Sequence, residues 1–379
     1  MSSLRDKLRS YGRQTGDKAA RPAEPVRDCA RYFDRTDRKA YPLPEVLKGE
    51  LLYLLSGTDM EDTPLSRVLF LDTETTGLSG GAGTVAFLTG IGYFEDGAFV
   101  VEQNFMRDYP EEGPMLSRIG ERLQKSSLLV TFNGRTFDMP LLSGRFIMQG
   151  MRNPNPDIPH VDLLQCARSA WKIRLSRCNL ASLEEKVFGL KREDDLPGSQ
   201  VPRAFFDYLA TGEFMYVEPV LRHNVQDIRS LPMLLGELFR LYERPLETPY
   251  EEDLYSAGRV FEKRGQTENA RKCYRAADRG KMSRLSRTTL ADSLRRHREY
   301  EEAAEIYGRM IAQGQGGVFP YVERAKLLEH RLGRPEEALA LTRKAVLLCP
   351  PDQDEQMAAL QKRLLRLYAK CEKRGRPVR

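Results

Sequence analysis

Cysteine is scarce and scattered in this chain. Its 379 residues hold six, Cys29, Cys166, Cys178, Cys273, Cys349 and Cys371, and no two of them form a CxxC pair. That spacing excludes a zinc module built on paired thiolates and a disulfide framework, and it suits a reducing compartment. Long apolar runs are missing as well. No stretch approaches the ~18 residues of a membrane span, and the opening MSSLRDKLRSYG has no apolar core of signal-peptide length. Together these absences predict a cytoplasmic protein with no membrane partner. Charge of one sign is not in large excess either: the formal net charge of +6 permits a polyanionic partner without demanding one. What is present is enough for a core, since 41% of residues are hydrophobic, and the length predicts two domains rather than one.

The stretch Val68 to Gly77, VLFLDTETTG, is the most informative. Four apolar residues run straight into Asp72, as in a strand buried on both faces. Side chains alternate along a strand, so Asp72 and Glu74 point the same way. Two carboxylates on one face repel each other, and a hard divalent cation between them removes the repulsion. The plainer alternative is that they end the strand and begin a solvated turn.

Around this stretch the pattern is α/β. Residues 1–66 are predicted to be a basic N-terminal extension. Up to Lys39 they hold eleven Lys or Arg against six Asp or Glu, which reads as a solvated segment or as an arm for phosphates. Near its end, VLKGELLYLL (46–55) has the pattern of a short amphipathic segment that docks on the following domain. Leu78 to Gly83 is glycine-rich and reads as a flexible turn, since its spacing fits no phosphate-binding loop. The runs VAFLTGIGYF and AFVVEQNFM flank Glu95-Asp96-Gly97, a hairpin signal. A helix is predicted over Met115–Leu123, a strand over Leu128–Phe132, a turn at Asn133-Gly134, and a helix from Asp138 to Met148. Asp138 is either a helix-start acid or the third member of a metal site. Asp162 is expected to cap the next helix, His160 to be structural, and Asp194 to Gly198 to form a turn. A long helix, or two abutting ones, then carries His223 and Asp227, four apart and so on one face.

Four acids therefore stand in order, Asp72, Glu74, Asp138 and Asp227, within the strings DTETTG, FNGRTFDMPLL and HNVQDIRSL. This arrangement resembles the DEDD superfamily of 3′–5′ exonucleases, and in particular the YprB-type ribonuclease H-like proteins, over a domain of residues 67–244. The resemblance implies an α/β ribonuclease H-like fold, a mixed sheet flanked by helices. It also implies two divalent cations, Mg²⁺ or Mn²⁺, and hydrolysis of phosphodiester bonds at a single-stranded end of DNA or RNA. Asp72 would lie between the cations, with Glu74 and Asp227 at the one serving the nucleophile and Asp138 at the other. His223 would be the general base, since an imidazole of ordinary pKa ~6.5 suits proton removal at neutral pH. Thr73, Thr75 and Asn133 would contact substrate, Asn133 equally serving as a turn residue. One departure stands out: the histidine branch usually spaces its His and Asp one residue further apart, and four is the spacing of the tyrosine branch. The alternatives are a structure-specific endonuclease of the same fold and a binding scaffold that has lost catalysis; the presence of all four acids favours the enzyme. Nothing in the sequence separates DNA from RNA.

Beyond Pro245 the composition changes. Ala270, Ala303 and Ala338 align at spacings of 33 and 35, with Tyr274 and Tyr307 four residues on and Gly265 and Gly333 at turns. A period near 34 resembles the tetratricopeptide repeats, which stack helical hairpins. Residues 250–379 are thus predicted to be an all-α helical repeat (TPR-like), with Glu372 to Gly375 in a closing helix, and to bind a protein or peptide partner.

Overall fold

The computed structural model describes residues 28–77, 83–153, 155–193 and 195–375. The basic residues before Asp28, most of the glycine-rich stretch after Gly77, and Asp194 lie outside the described residues. Among the described residues there are eight strands: β1 (Ala30–Asp37), β2 (Val46–Leu47), β3 (Thr63–Pro64), β4 (Val68–Thr75), β5 (Ala86–Glu95), β6 (Ala98–Phe105), β7 (Leu128–Thr131) and β8 (His160–Asp162). The helices up to residue 243 are α1 (Gly49–Ser56), α2 (Glu112–Lys125), α3 (Asp138–Met148), α4 (Leu163–Trp171), α5 (Leu180–Leu183), α6 (Val201–Thr211) and α7 (Glu218–Glu243).

The chain packs as two compact units, each drawn from three segments. Among the described residues, the first takes 28–47, 63–163 and 191–233; the second takes 48–62, 164–190 and 234–375. In the first, six strands form one mixed sheet in the order β1-β6-β5-β4-β7-β8, while β2 and β3 pair separately. β4 is central: it runs antiparallel to β5 and parallel to β7. This is the α/β ribonuclease H-like arrangement expected from sequence. Val68 to Leu71 are almost wholly buried, as a strand covered on both faces requires. The Asp96-Gly97 pair turns β5 into β6 with φ of 49° and 73°, the left-handed corner a two-residue hairpin needs.

Two strands of the six-stranded sheet differ from the expectation. β1 comes from the stretch read as a basic extension and pairs antiparallel with β6 along its whole length. It is an edge strand, so most of its side chains face solvent and ARYFDRTD carries no apolar stripe. β8 has only three residues, too few for periodicity to register.

One face of the sheet carries α2 and α3, whose Met115, Leu116, Ile119, Leu123, Leu142 and Phe146 bury against Leu69 and Leu71. The other face carries the first part of α7. Two glycines on β5 set how close α7 comes. A Cβ at Gly90 would sit against Asn224 Oδ1 and 2.8 Å from Ile228 Cγ1, and one at Gly92 would be 2.8 Å from Ile228 Cγ2. Gly90 lies directly opposite Asp72, so the space that admits α7 also brings it over the acidic end of β4.

In the second unit, α1 is held by residues far along the chain: Cys166 Sγ bonds to Leu55 O, Arg264 Nε to Leu54 O, and Gln266 Nε2 to Glu50 Oε1 at 3.0 Å. From residue 251 onward the described chain is all helical: α8 (Glu251–Lys263), α9 (Thr267–Ala276), α10 (Ser283–Arg296), α11 (Tyr300–Ala312), α12 (Phe319–His330), α13 (Pro335–Leu348) and α14 (Asp354–Gly375). They form three successive hairpins and a last single helix. Small buried residues recur in the first helix of each hairpin, Gly258, Ala291 and Ala325, and in the second, Ala270, Ala303 and Ala338. The turn within each hairpin has a left-handed residue, Gly265, Arg298 and Gly333, with φ of 79°, 66° and 66°. No helix among the described residues is long and apolar enough to cross a membrane.

Replacing Gly90 by valine places two methyl groups where Asn224 and Ile228 already are. Overpacking of this kind typically costs about 1–3 kcal/mol. The Gly90→Val protein is expected to unfold at lower guanidinium concentration than the parent; unchanged stability would mean that α7 is not held at this distance.

Candidate active site

The site is built at the C-terminal end of β4. Alternation along the strand sends Asp72 and Glu74 to the α7 face and Thr73 and Thr75 to the other. Asp72 and Glu74 keep partial exposure, whereas Thr73 and Thr75 are buried. The hydroxyls of the two threonines have protein partners: Thr73 Oγ1 donates to Asp138 Oδ1 at 2.5 Å and Thr75 Oγ1 to Gly77 O at 2.8 Å.

Asp138 is the first residue of α3, preceded by Phe137, so it is not the cap. It is buried, and its position depends on the turn after β7. There Asn133 takes a left-handed φ of 67°. Its backbone N–H donates to Asp162 Oδ1 at 2.9 Å, and that of Arg135 to Asp162 Oδ2 at 3.2 Å. Asp162 ends β8 directly before α4, and its two carboxylate oxygens bind the turn that presents Asp138. The Asn133 side chain accepts from Thr136 Oγ1 at 3.0 Å. His160 packs beside the same turn with Nε2 2.8 Å from Thr131 Oγ1. Burial, helped by the Arg135 charge, pushes its pKa down to about 4, so it is neutral and structural as expected.

His223 and Asp227 sit one turn apart on α7 and face the strand end. His223 Nε2 is 3.9 Å from Glu74 Oε1 and 3.6 Å from Asp227 Oδ2. The four-residue spacing therefore still turns the imidazole toward the acids. Asn224, the next residue, is wholly buried and pins the helix. It donates to Asp72 Oδ2 at 3.0 Å and accepts from Gln103 Nε2 at 2.9 Å, while Gln103 also donates to Leu221 O.

A loop whose importance the sequence did not reveal completes the site. Asp195 Oδ1 lies 2.6 Å from His223 Nδ1, which leaves Nε2 to face the acids. Arg192 bridges two carboxylates, with Nη1 3.0 Å from Asp195 Oδ2 and Nη2 2.5 Å from Asp227 Oδ1. In the sequence Asp195 marks only a turn, and Arg192 carries no signal of its own. Asn224 was visible inside HNVQD, but nothing in its spacing distinguished it from a surface amide. Gln103 sits inside a buried strand, where an amide among apolar residues is the one local signal that marks it.

The carboxylates are crowded. Burial, with the charges of Asp227, Asp138 and Glu74, holds Asp72 well above the usual carboxylate range, and the Asn224 hydrogen bond offsets only part. Burial raises Glu74 to about 8, against the pull of His223. Burial likewise raises Asp138 to about 6, against the Thr73 hydroxyl. For His223, burial pulls the pKa down, but Asp227, Asp195 and Glu74 outweigh it and the net shift is upward. Among the described residues, no three His, Cys, Asp or Glu side chains are already drawn together as a metal-binding set. Thr73 and Arg192 each hold a carboxylate oxygen that would have to serve. The donor chemistry nonetheless fits a hard divalent cation: three carboxylates whose charge is under-compensated, all bearing oxygen ligands of the kind Mg²⁺ and Mn²⁺ take.

Comparison with known proteins agrees with this fold. Residues 69–239 match the family described as RNase_H superfamily. Over 314 residues the chain is 27% identical to the uncharacterised protein YprB of Bacillus subtilis (strain 168), covering 80% of this chain and 75% of that one. A family B DNA polymerase from the archaeon Pyrobaculum calidifontis aligns over 55% of this chain at 15% identity and a TM-score of 0.38; the match spans only 30% of the polymerase.

The crowding has a consequence for stability. Glu74 titrates near 8 in the folded protein against an ordinary value of 4.5. Between these values the folded chain binds more protons than the unfolded one, so stability falls as pH rises, and the raised His223 acts in the same direction. In chelator, the melting temperature is therefore expected to drop between pH 6.5 and 8.5, and Mn²⁺ should restore more of it at pH 8.5. A flat profile in chelator across that interval would contradict the crowding.

Proposed function

We propose that this chain is a metal-dependent 3′–5′ exonuclease of the DEDD type that hydrolyses phosphodiester bonds of DNA or RNA. The observation that carries the reading is the meeting of Asp72, Glu74, Asp138 and Asp227 at one strand end, with the His223 imidazole turned toward them. The match of residues 69–239 to the RNase_H superfamily supports a nuclease-type activity.

In this reading Asp72, Glu74, Asp138 and Asp227 hold two divalent cations, Mg²⁺ or Mn²⁺. When bound, these supply positive charge against the phosphate and make a water easier to ionise. His223 Nε2 receives the proton of the attacking water, and Asp195 at Nδ1 fixes the tautomer that leaves Nε2 free to do so. Asn224 keeps the carboxyl of Asp72 aimed at the site, and Thr73 does the same for Asp138. Substrate contacts at Thr73, Thr75 and Asn133 remain part of the proposal through their backbone groups and the Asn133 amide, since both threonine hydroxyls are engaged within the protein.

The helices beyond residue 250 are proposed to be tetratricopeptide-like and to bind a protein or peptide partner. The recurring small residues and the left-handed turn in each hairpin support this.

The test is purified full-length chain with 5′-labelled single-stranded DNA or RNA and Mg²⁺ or Mn²⁺. The expected product is a ladder shortening from the 3′ end, abolished by chelator and by Asp72→Asn in a protein that still melts cooperatively. His223→Ala is expected to slow turnover by ~10²-fold or more. Internal cuts with no ladder would favour the endonuclease alternative, and full activity of Asp72→Asn would end the metal-dependent reading.

A further inference from the structure

Arg192 occupies the Asp227 side of the acidic site. Its side chain is only 10% exposed, and its two terminal nitrogens reach different carboxylates: Nη1 to Asp195 and Nη2 to Asp227 Oδ1, at 3.0 and 2.5 Å. A guanidinium does not lose its charge at any pH a protein meets. It therefore supplies a fixed positive charge to a group of acids that otherwise repel one another. A divalent cation binds carboxylate oxygens at ~2.0–2.6 Å, so a cation at Asp227 would stand within a few ångströms of the guanidinium held on Oδ1, and two positive charges that close repel each other. The other oxygen, Oδ2, already faces His223 Nε2.

From this geometry we infer that Arg192 is a tethered counter-cation that competes with the divalent metal for Asp227 and so sets the metal concentration at which the site fills. The inference rests on the metal-dependent reading of the site and adds a residue to it. When a cation takes Asp227, Arg192 keeps its bond to Asp195 through Nη1, and Asp195 keeps its hold on His223. Nη2 is then released beside the site, a donor for a phosphate oxygen. The opposite role is also physically available: an arginine that orients a ligating carboxylate strengthens metal binding. The two roles predict opposite signs, which makes the matter decidable.

The experiment measures Mn²⁺ binding to the full chain without nucleic acid, by the paramagnetic resonance signal of free Mn²⁺. The Arg192→Gln variant is expected to bind Mn²⁺ about tenfold more tightly than the parent. It should also melt at lower temperature in chelator, where Asp227 has lost its counter-charge, and match the parent at saturating Mn²⁺. Arg192→Lys keeps the charge but has no fork to bridge Asp195 and Asp227, and should fall between the two; it carries the test if the glutamine variant does not fold. Unchanged or weaker Mn²⁺ binding in a folded variant overturns the inference while leaving the metal-dependent reading standing. Absence of Mn²⁺ uptake by both folded parent and variant overturns both.

Discussion

Like charge held in one place is the constraint around which the first unit is arranged. Asp72, Glu74, Asp138 and Asp227 gather where β4 ends, and their protons are held above the ordinary carboxylate range in three of the four. A group of this kind does not assemble by attraction. It is held by the rest of the fold: Val68 to Leu71 anchor the strand in apolar surroundings, Gly90 and Gly92 admit α7, and Asn224 and Thr73 each bind one carboxylate oxygen. Apolar packing elsewhere thus maintains an electrostatically unfavourable arrangement at the sheet end, a common physical basis for chemical reactivity.

Counter-charge comes from a loop rather than from the sheet. Arg192 and Asp195 lie between α5 and α6, outside the regular elements, and connect Asp227 with His223. Side chains that respond to a ligand are well placed on such a segment, because a loop can adjust where a strand cannot. The strand and helices that carry the acids and the loop that carries their counter-charge are therefore separate parts of the chain.

The helical part of the second unit follows a different logic. Its period sets small residues where helices approach, as at Gly258, where a Cβ would fall 2.6 Å from the Tyr274 ring. Near its end a buried acid, Glu329, is held by Arg363 and Arg366 from the last helix, at 2.9 and 2.8 Å. Removing either arginine leaves charge buried with less compensation, so this cluster ties α14 to the hairpin before it. The units themselves interleave along the chain: segments 48–62 and 164–190 pack with the C-terminal helices. Composition alone shifts near Pro245, whereas packing groups residues by which apolar faces meet.

What the sequence determined by itself was everything carried by local pattern. The buried strand into Asp72, the Asp96-Gly97 hairpin, the helix from Asp138 to Met148 and the period of the C-terminal helices were legible, because each is written in residues a few positions apart. Ordered acids in recognisable strings also marked the site before any geometry was known. Tertiary structure decided what depends on residues far apart. β1 became an edge strand only through β6, and Asp162 became a partner of Asn133 and Arg135 only once β8 lay beside β7. Arg192 and Asp195 joined the site only when their loop closed over α7. Local preference fixes an element, but a charge or hydrogen-bond partner is set by proximity in space, and proximity between distant residues is a property of the folded chain alone.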